Sequence, residues 1–132
     1  MSGTRELVFV YGTLRRGGSN HFRMSGADFM ADGLVRGKIY HIDWYPGLVL
    51  GDEGDVRGEV YSVDAGQLLE LDEFEGISAG EIEGNQYRRV KTVVHKSDGH
   101  TLGAWVWEWL GPVDDARWVA AGDWLTVEPD DG

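Results

Sequence analysis

The apolar positions of this 132-residue chain fall into short runs separated by glycine-rich or acidic stretches. Val8 to Tyr11 is β-branched and aromatic and stops at Gly12, as a buried strand does. "GLVRGKIYHID", residues 33–43, reads as a second strand. "YPGLVL", residues 45–50, opens with a turn at Pro46-Gly47, and "GDEGD", residues 51–55, is a polar turn. In "VRGEVYSV", residues 56–63, neighbouring positions alternate as in a strand. "QYRRVKTVVHK" and "HTLGAWVWEWL" are two more strands, joined around Ser97-Asp98-Gly99 as a hairpin.

Helical signals are fewer. "SNHFRMSGADFMADG", residues 19–33, holds room for a short helix with Ser19 or Asn20 as its cap. "DAGQLLELDEFEG" is the strongest helix: Asp64 caps it, Gln67 completes a capping box, and Gly76 stops it. "GISAGEIEGN", residues 76–85, is a loop, and "DDARWVAAGDW" fits a last short helix. Strands dominate and hairpins outnumber helical crossovers. The expected fold is therefore α+β: a small mixed, mainly antiparallel, strongly curved sheet or β-barrel with flanking helices. Gly33, Gly37, Gly47, Gly58 and Gly103, in or beside strands, mark where such a sheet bends.

Composition narrows the function. The length and a hydrophobic fraction of 42% fit one globular domain over residues 1–132. With no cysteine, disulfides, thiolate metal sites and a cysteine nucleophile are all excluded, and a cytoplasmic setting is expected. A net charge of −11, from 12 basic and 23 acidic residues, argues against nucleic acid as a partner. No apolar run reaches the roughly 18 residues of a membrane span, and "MSGTRELVFV" lacks the apolar core of a signal peptide.

The helix carries an anomaly. At roughly 100° per residue, Phe74, Leu71, Glu75 and Leu68 follow one another around one side. Asp72 and Leu69 lie on the margin of that stripe, and Glu70 and Glu73 point elsewhere, as surface acids do. Glu75 thus sits inside the apolar stripe. It also lies at the C-terminal end of the helix, where the macrodipole disfavours negative charge. Both effects raise a carboxyl's pKa toward neutrality and suit it to taking and returning a proton. The alternative is that the helix frays and Glu75 simply reaches water.

Other candidates are weaker. "GTLRRGG" lacks the Gly-Lys-Ser/Thr ending of a phosphate loop; it is either a tight turn or a cradle of backbone amides. His21, His41, His95 and His100 have no metal-ligand spacing, and Ser19 and Ser25 lack a nucleophile's context. Trp105, Trp107 and Trp109 share one strand face, more in keeping with core or a subunit contact than with a ligand platform. Arg88 and Arg89 point to opposite faces of their strand.

Taken in order, "YGTLRRGGSNH", "YPGLVL", "GEVYSV", "LDEFEG", "YRRV" and the late "GDW" resemble the gamma-glutamylcyclotransferase-like family, which includes the AIG2-like proteins. The match runs over nearly the whole chain and looks nearest the gamma-glutamylamine cyclotransferase branch. The resemblance implies a compact barrel with a cavity at one end. It implies that Tyr11, Gly12, Thr13 and Leu14 form a backbone cradle for a γ-glutamyl group. It makes Glu75 the catalytic acid/base and Tyr87 a hydrogen-bonding partner in the cavity. The implied reaction is intramolecular aminolysis of a γ-glutamyl amide, releasing 5-oxoproline and an amine, with no metal or cofactor, in a monomer or homodimer. The segment between Gly76 and Tyr87 is longer and more acidic than the family pattern suggests, which leaves the leaving group open. Two other readings stand beside the enzyme: a non-catalytic protein binding a small carboxylate in the same cavity, and a structural protein using its tryptophan-rich strand as an interface. A buried Glu75 favours the enzyme over both.

Overall fold

In the computed structural model, residues 5–127 are described; the first four residues of the stretch read for a signal peptide lie outside them. Five strands, β1 (Arg5–Val10), β2 (Asp28–His41), β3 (Pro46–Asp64), β4 (Tyr87–His95) and β5 (Thr101–Trp109), close into a barrel in the order β1-β3-β2-β4-β5. Helix α1 (Ala65–Phe74) packs against β1 and β3. Pairing is antiparallel except where β5 meets β1, at Val8–Trp105, and β3, at Leu48–Glu108. The expected mixed, mainly antiparallel barrel is therefore what forms. No described helix is long and apolar enough to cross a membrane.

The strand β3 differs most from expectation. Residues 46–64 run as one strand instead of two separated by a turn. Its first part pairs with β2 from His41–Pro46 to Gly37–Leu50, and pairing resumes at Arg36–Asp55. The polar "GDEG" at 51–54 is thus extruded as a large bulge, which strengthens the local twist a small barrel needs. The β2–β3 turn is residues 42–45, ahead of Pro46, not at Pro46-Gly47.

Other departures are local. Only a 3-10 turn, His21–Met24, forms in the 19–33 segment, and Asn20 at its start makes no side-chain cap; β2 begins at Asp28. The expected last helix is two separate 3-10 turns, Asp115–Arg117 and Trp124–Thr126. Helix α1 is capped by Asp64, which accepts from the Gln67 amide at 2.7 Å. The Gln67 side chain does not complete a capping box; it reaches the Arg23 and Ser25 carbonyls instead, docking α1 onto that turn. Gly76 ends the helix at φ +82°, a left-handed conformation that costs glycine little.

Two apolar layers explain why β1 shows no simple alternation. Phe9 faces the barrel interior with Val35, Ile39, Val60, Val106 and Trp124. Val8 and Val10 face the opposite way, into a layer with Leu68 and Leu71 of α1 and Trp107 of β5. Both faces of β1 are covered, so every position of its second half is apolar. The three β5 tryptophans lie on the α1 side, while Ala104 and Val106 fill the barrel. Trp107 is buried core, as its pattern suggested, but it also lines a cavity.

Candidate active site

A cavity of about 240 Å³ opens where β1 ends, beside the C-terminus of α1. Its walls include Tyr11, Gly12, Thr13, Leu14, Glu75 and Tyr87, so all six residues singled out from the sequence meet in one place. Phe9, Val10, Pro46, Phe74, Trp107 and the outer residues Trp44, Tyr45, Glu73, Gly76 and Gln86 complete it. A volume at the small end for ligand sites suits a molecule the size of an amino acid.

The loop after β1 has a definite polarity. The Gly12 carbonyl accepts from the Arg15 amide (3.1 Å) and the Thr13 carbonyl from the Asn20 amide (2.9 Å). The Leu14 carbonyl accepts from the His21 ring at Nδ1 (2.8 Å). The amides of Gly12, Thr13 and Leu14 donate to no acceptor among the described residues. Carbonyls engaged and amides free make a concavity suited to an oxyanion or carboxylate. Thr13 Oγ1 is itself held by the Asn20 side chain at 3.2 Å. Gly12 is required sterically: a Cβ there would stand 2.6 Å from Cγ of Pro46.

A buried charge network holds the loop from behind. Glu59 on β3 is 2% exposed and takes the Arg15 Nε at 2.6 Å, the Arg16 amide at 2.8 Å and the Tyr61 hydroxyl at 3.2 Å. Arg15 also reaches Asp123 at 2.7 Å, tying the loop to the last 3-10 turn. Both Glu59 oxygens and the Arg15 Nε and Nη1 atoms are engaged, the condition under which a buried pair holds its geometry.

The two tyrosines differ in what they offer. The Tyr11 hydroxyl donates to the Trp107 carbonyl (2.6 Å) and accepts from the Leu48 amide (3.3 Å), pinning β1 to β5 and β3. What Tyr11 presents to a ligand is therefore ring and main chain. The Tyr87 hydroxyl donates to the Pro46 carbonyl at 2.7 Å. Burial, reinforced by Tyr11 and Glu75, drives its pKa far above the ordinary tyrosine value, so it stays protonated. Its proton is committed, so it meets a ligand as an acceptor.

Glu75 is the residue that closes α1; it is partly buried and lines the cavity. Its pKa is raised to about 8, chiefly by burial and further by the nearby Asp72 charge, against a smaller opposing effect of Arg23. The helix does not fray there: the Glu75 amide bonds back to Leu71 and Asp72 at 3.0 Å each. The helix is therefore ordered through Glu75, whose side chain is partly buried.

Three neighbours on α1 depart from what the wheel suggests. Asp72, placed on the margin of the stripe, is 1% exposed. It accepts from Arg89 Nε at 2.9 and 3.1 Å and from Trp107 Nε1 at 2.9 Å. Leu69, given the same margin, is exposed instead. Glu73, read as an ordinary surface acid, is exposed but lines the cavity mouth. The pairing of Asp72 with Arg89 was legible only in part: Arg88 and Arg89 do face opposite ways, toward Glu108 and Asp72 respectively. The 77–86 segment is tied to β4, with the Arg89 amide on the Ile82 carbonyl (2.7 Å) and the Gly84 amide on the Tyr87 carbonyl (2.8 Å).

Comparison with known proteins agrees with this geometry. The family described as "Gamma-glutamyl cyclotransferase, AIG2-like" matches residues 8–126. The chain is 34% identical over 119 residues to the gamma-glutamylcyclotransferase family protein YtfP of Escherichia coli K12, covering 89% of this chain and 95% of the relative. It is 33% identical over 119 residues to the gamma-L-glutamyl-butirosin B gamma-glutamyl cyclotransferase of Niallia circulans, covering 89% and 74%. Among solved structures, an AIG2-like protein from mouse superposes with a TM-score of 0.69 at 27% identity, covering 86% of this chain and 82% of that one. An uncharacterized protein from Pyrococcus horikoshii gives 0.70 at 29% identity, covering 92% of each chain. The cavity, the cradle loop and the glutamate at the end of α1 therefore belong to a chain that is a member of the gamma-glutamyl cyclotransferase, AIG2-like family.

Proposed function

We propose that this protein is a γ-glutamyl cyclotransferase that converts a γ-glutamyl amide into 5-oxoproline and a free amine. The observation that carries the reading is Glu75, a carboxyl with a pKa of about 8, sharing a cavity wall with three unbonded backbone amides.

The roles follow from what each group can do. The amides of Gly12, Thr13 and Leu14 hold the oxygen atoms of the γ-glutamyl group. The Tyr87 hydroxyl accepts a hydrogen bond from the α-ammonium. Glu75, once ionised, takes a proton from that ammonium, whose own pKa is roughly 8 in a peptide. Donor and acceptor are then closely matched, the best arrangement for general base catalysis. The freed amine attacks the γ-carbonyl: a C–N bond forms, and the carbonyl oxygen becomes an oxyanion held by the loop amides. Glu75 then returns the proton to the leaving nitrogen, the carbonyl re-forms as that C–N bond breaks, and the ionised Glu75 takes the second proton from the ring nitrogen, leaving the neutral lactam and the free amine. Nucleophile and electrophile belong to one molecule, so holding it folded supplies much of the rate.

The test is 5-oxoproline release from γ-glutamyl amides by wild type and Glu75→Gln. Turnover falls by about 10²–10⁴-fold in the variant, the usual contribution of an acid/base group. Binding of 5-oxoproline persists, because the cradle is backbone. Wild-type activity rises with pH as Glu75 ionises and levels off above about 8. The control is Glu70→Gln, an exposed acid on the same helix that does not line the cavity. Equal loss in the two variants would remove Glu75 from the chemistry. Binding of small carboxylates with no release from any γ-glutamyl amide would leave a carboxylate-binding protein in place of the enzyme.

A further inference from the structure

The cavity wall changes character from inside to mouth. Its inner part is buried backbone and rings: Thr13, Leu14, Pro46, Tyr87 and Trp107. Its mouth is made of Trp44, half exposed at 50%, the partly buried Tyr45 and Phe74, and the exposed Glu73 and Gln86. Trp44 is set edge-on to Tyr45, with ring centroids 5.0 Å apart. Glu73 makes no ion pair or side-chain hydrogen bond among the described residues. Among the described residues, no lysine, arginine or histidine lines the cavity. Arg23 lies over the Phe74 ring at 4.2 Å and donates to Asn20 at 3.2 Å, and it is not among the lining residues.

We infer that the mouth selects γ-glutamyl amides whose leaving amine carries a second positive charge at the end of an apolar stem. This rests on the cyclotransferase reading, which places the γ-glutamyl group inside and sends the leaving amine out past Trp44 and Glu73. The apolar stem lies along Phe74 and Tyr45. The distal ammonium meets the Trp44 ring, a cation–π partner, and the unpaired Glu73 carboxylate. A leaving group ending in a carboxylate meets the Glu73 charge with the wrong sign, and the Arg23 guanidinium beside the mouth is already stacked on Phe74 and bonded to Asn20. The net charge of −11 acts in the same sense at long range, drawing cations toward the protein and slowing anions.

Three amides with four-carbon leaving amines separate charge from stem: γ-glutamyl conjugates of 1,4-diaminobutane, butylamine and 4-aminobutanoate. Their dissociation constants are measured by calorimetry on Glu75→Gln, which binds without turning over, and their 5-oxoproline release on wild type. The cationic conjugate binds about tenfold tighter than the neutral one, the sum of an exposed cation–π contact and an exposed ion pair. The anionic conjugate binds weakest. Adding Glu73→Gln cuts the cation-to-neutral ratio roughly threefold, and Glu73→Lys reverses the cation–anion order. Trp44→Ala also lowers the ratio, while Glu70→Gln leaves it in place. Added salt weakens the cationic preference, since both groups at the mouth are exposed. A flat ranking, tightest binding of the anionic conjugate, or a ranking untouched by Glu73→Lys overturns the inference. If the ranking holds but wild type releases no 5-oxoproline, charge selection stands and the cyclotransferase reading falls. If none of the three binds, both fall.

Discussion

Two acids three residues apart, Asp72 and Glu75, do different work because their partners differ. Asp72 has a guanidinium and an indole N–H on its oxygens, whereas Glu75 has neither. Asp72 is therefore a positioning residue: it anchors α1 to β4 and β5, orients Trp107 in the cavity wall and adds to the raised pKa of Glu75. Asp72→Asn removes one negative charge near Glu75 and leaves the Arg89 positive charge unbalanced. Both changes favour the ionised form of Glu75. The rising limb of the pH–rate profile then moves to lower pH, and unpairing Arg89 costs about 3 kcal/mol of stability. A stability loss with the profile unmoved would show that Asp72 is purely structural.

At the level of elements, the proposed reading gives the loop from Tyr11 to Asn20 the task of turning a strand end into a binding surface. Its carbonyls are engaged by Arg15, Asn20 and His21, and its arginine is engaged by Glu59 and Asp123. A loop braced on that many sides is pre-organised, and on the proposed reading its free amides meet a ligand without rearranging. Gly12→Val is the sharp test. The new side chain meets Pro46, whose carbonyl also holds the Tyr87 hydroxyl, so cradle and acceptor shift together. Binding of 5-oxoproline falls at least tenfold, while Thr13→Ser, which keeps the hydroxyl bonded by Asn20, changes it little. Wild-type binding by a folded Gly12→Val protein would take this loop out of the site.

For the whole molecule, the site sets a conflict between activity and stability. The folded pKa of Glu75, about 8, lies above its unfolded value of 4.5. Between those two values the folded state binds the proton that the unfolded state has released. The stabilisation from that proton is fully present below about pH 4.5 and is lost as pH rises through about 8. The proposed catalysis needs the ionised form, so the contribution of Glu75 to stability falls as activity rises. Glu75→Gln has no such proton to lose. Urea midpoints taken from pH 5 to 9 therefore show wild type weakening relative to Glu75→Gln as pH increases. A difference independent of pH would mean Glu75 titrates at an ordinary value.

Local physics accounts for what the sequence by itself determined. The Asp64 cap, the Gly76 stop, the β4–β5 hairpin and the position of Glu75 within the apolar stripe depend on neighbours within a turn or two of chain. The ordered motifs from Tyr11 to Trp124 carried the family and, with it, the closed barrel. What only the tertiary structure decided depends on residues far apart in sequence. The burial of Asp72 is settled by Arg89 and Trp107 on two other strands. The single strand across residues 46–64 exists because β1, β2 and β5 all pair with it, which lets "GDEG" leave the sheet as a bulge instead of ending it. The commitment of the tyrosine hydroxyls to Trp107 and Pro46 carbonyls is likewise invisible along the chain. The place of Glu73 at the cavity mouth follows from where α1 docks, not from its own periodicity. A helical wheel records direction around one axis, whereas a cavity is made where several elements meet.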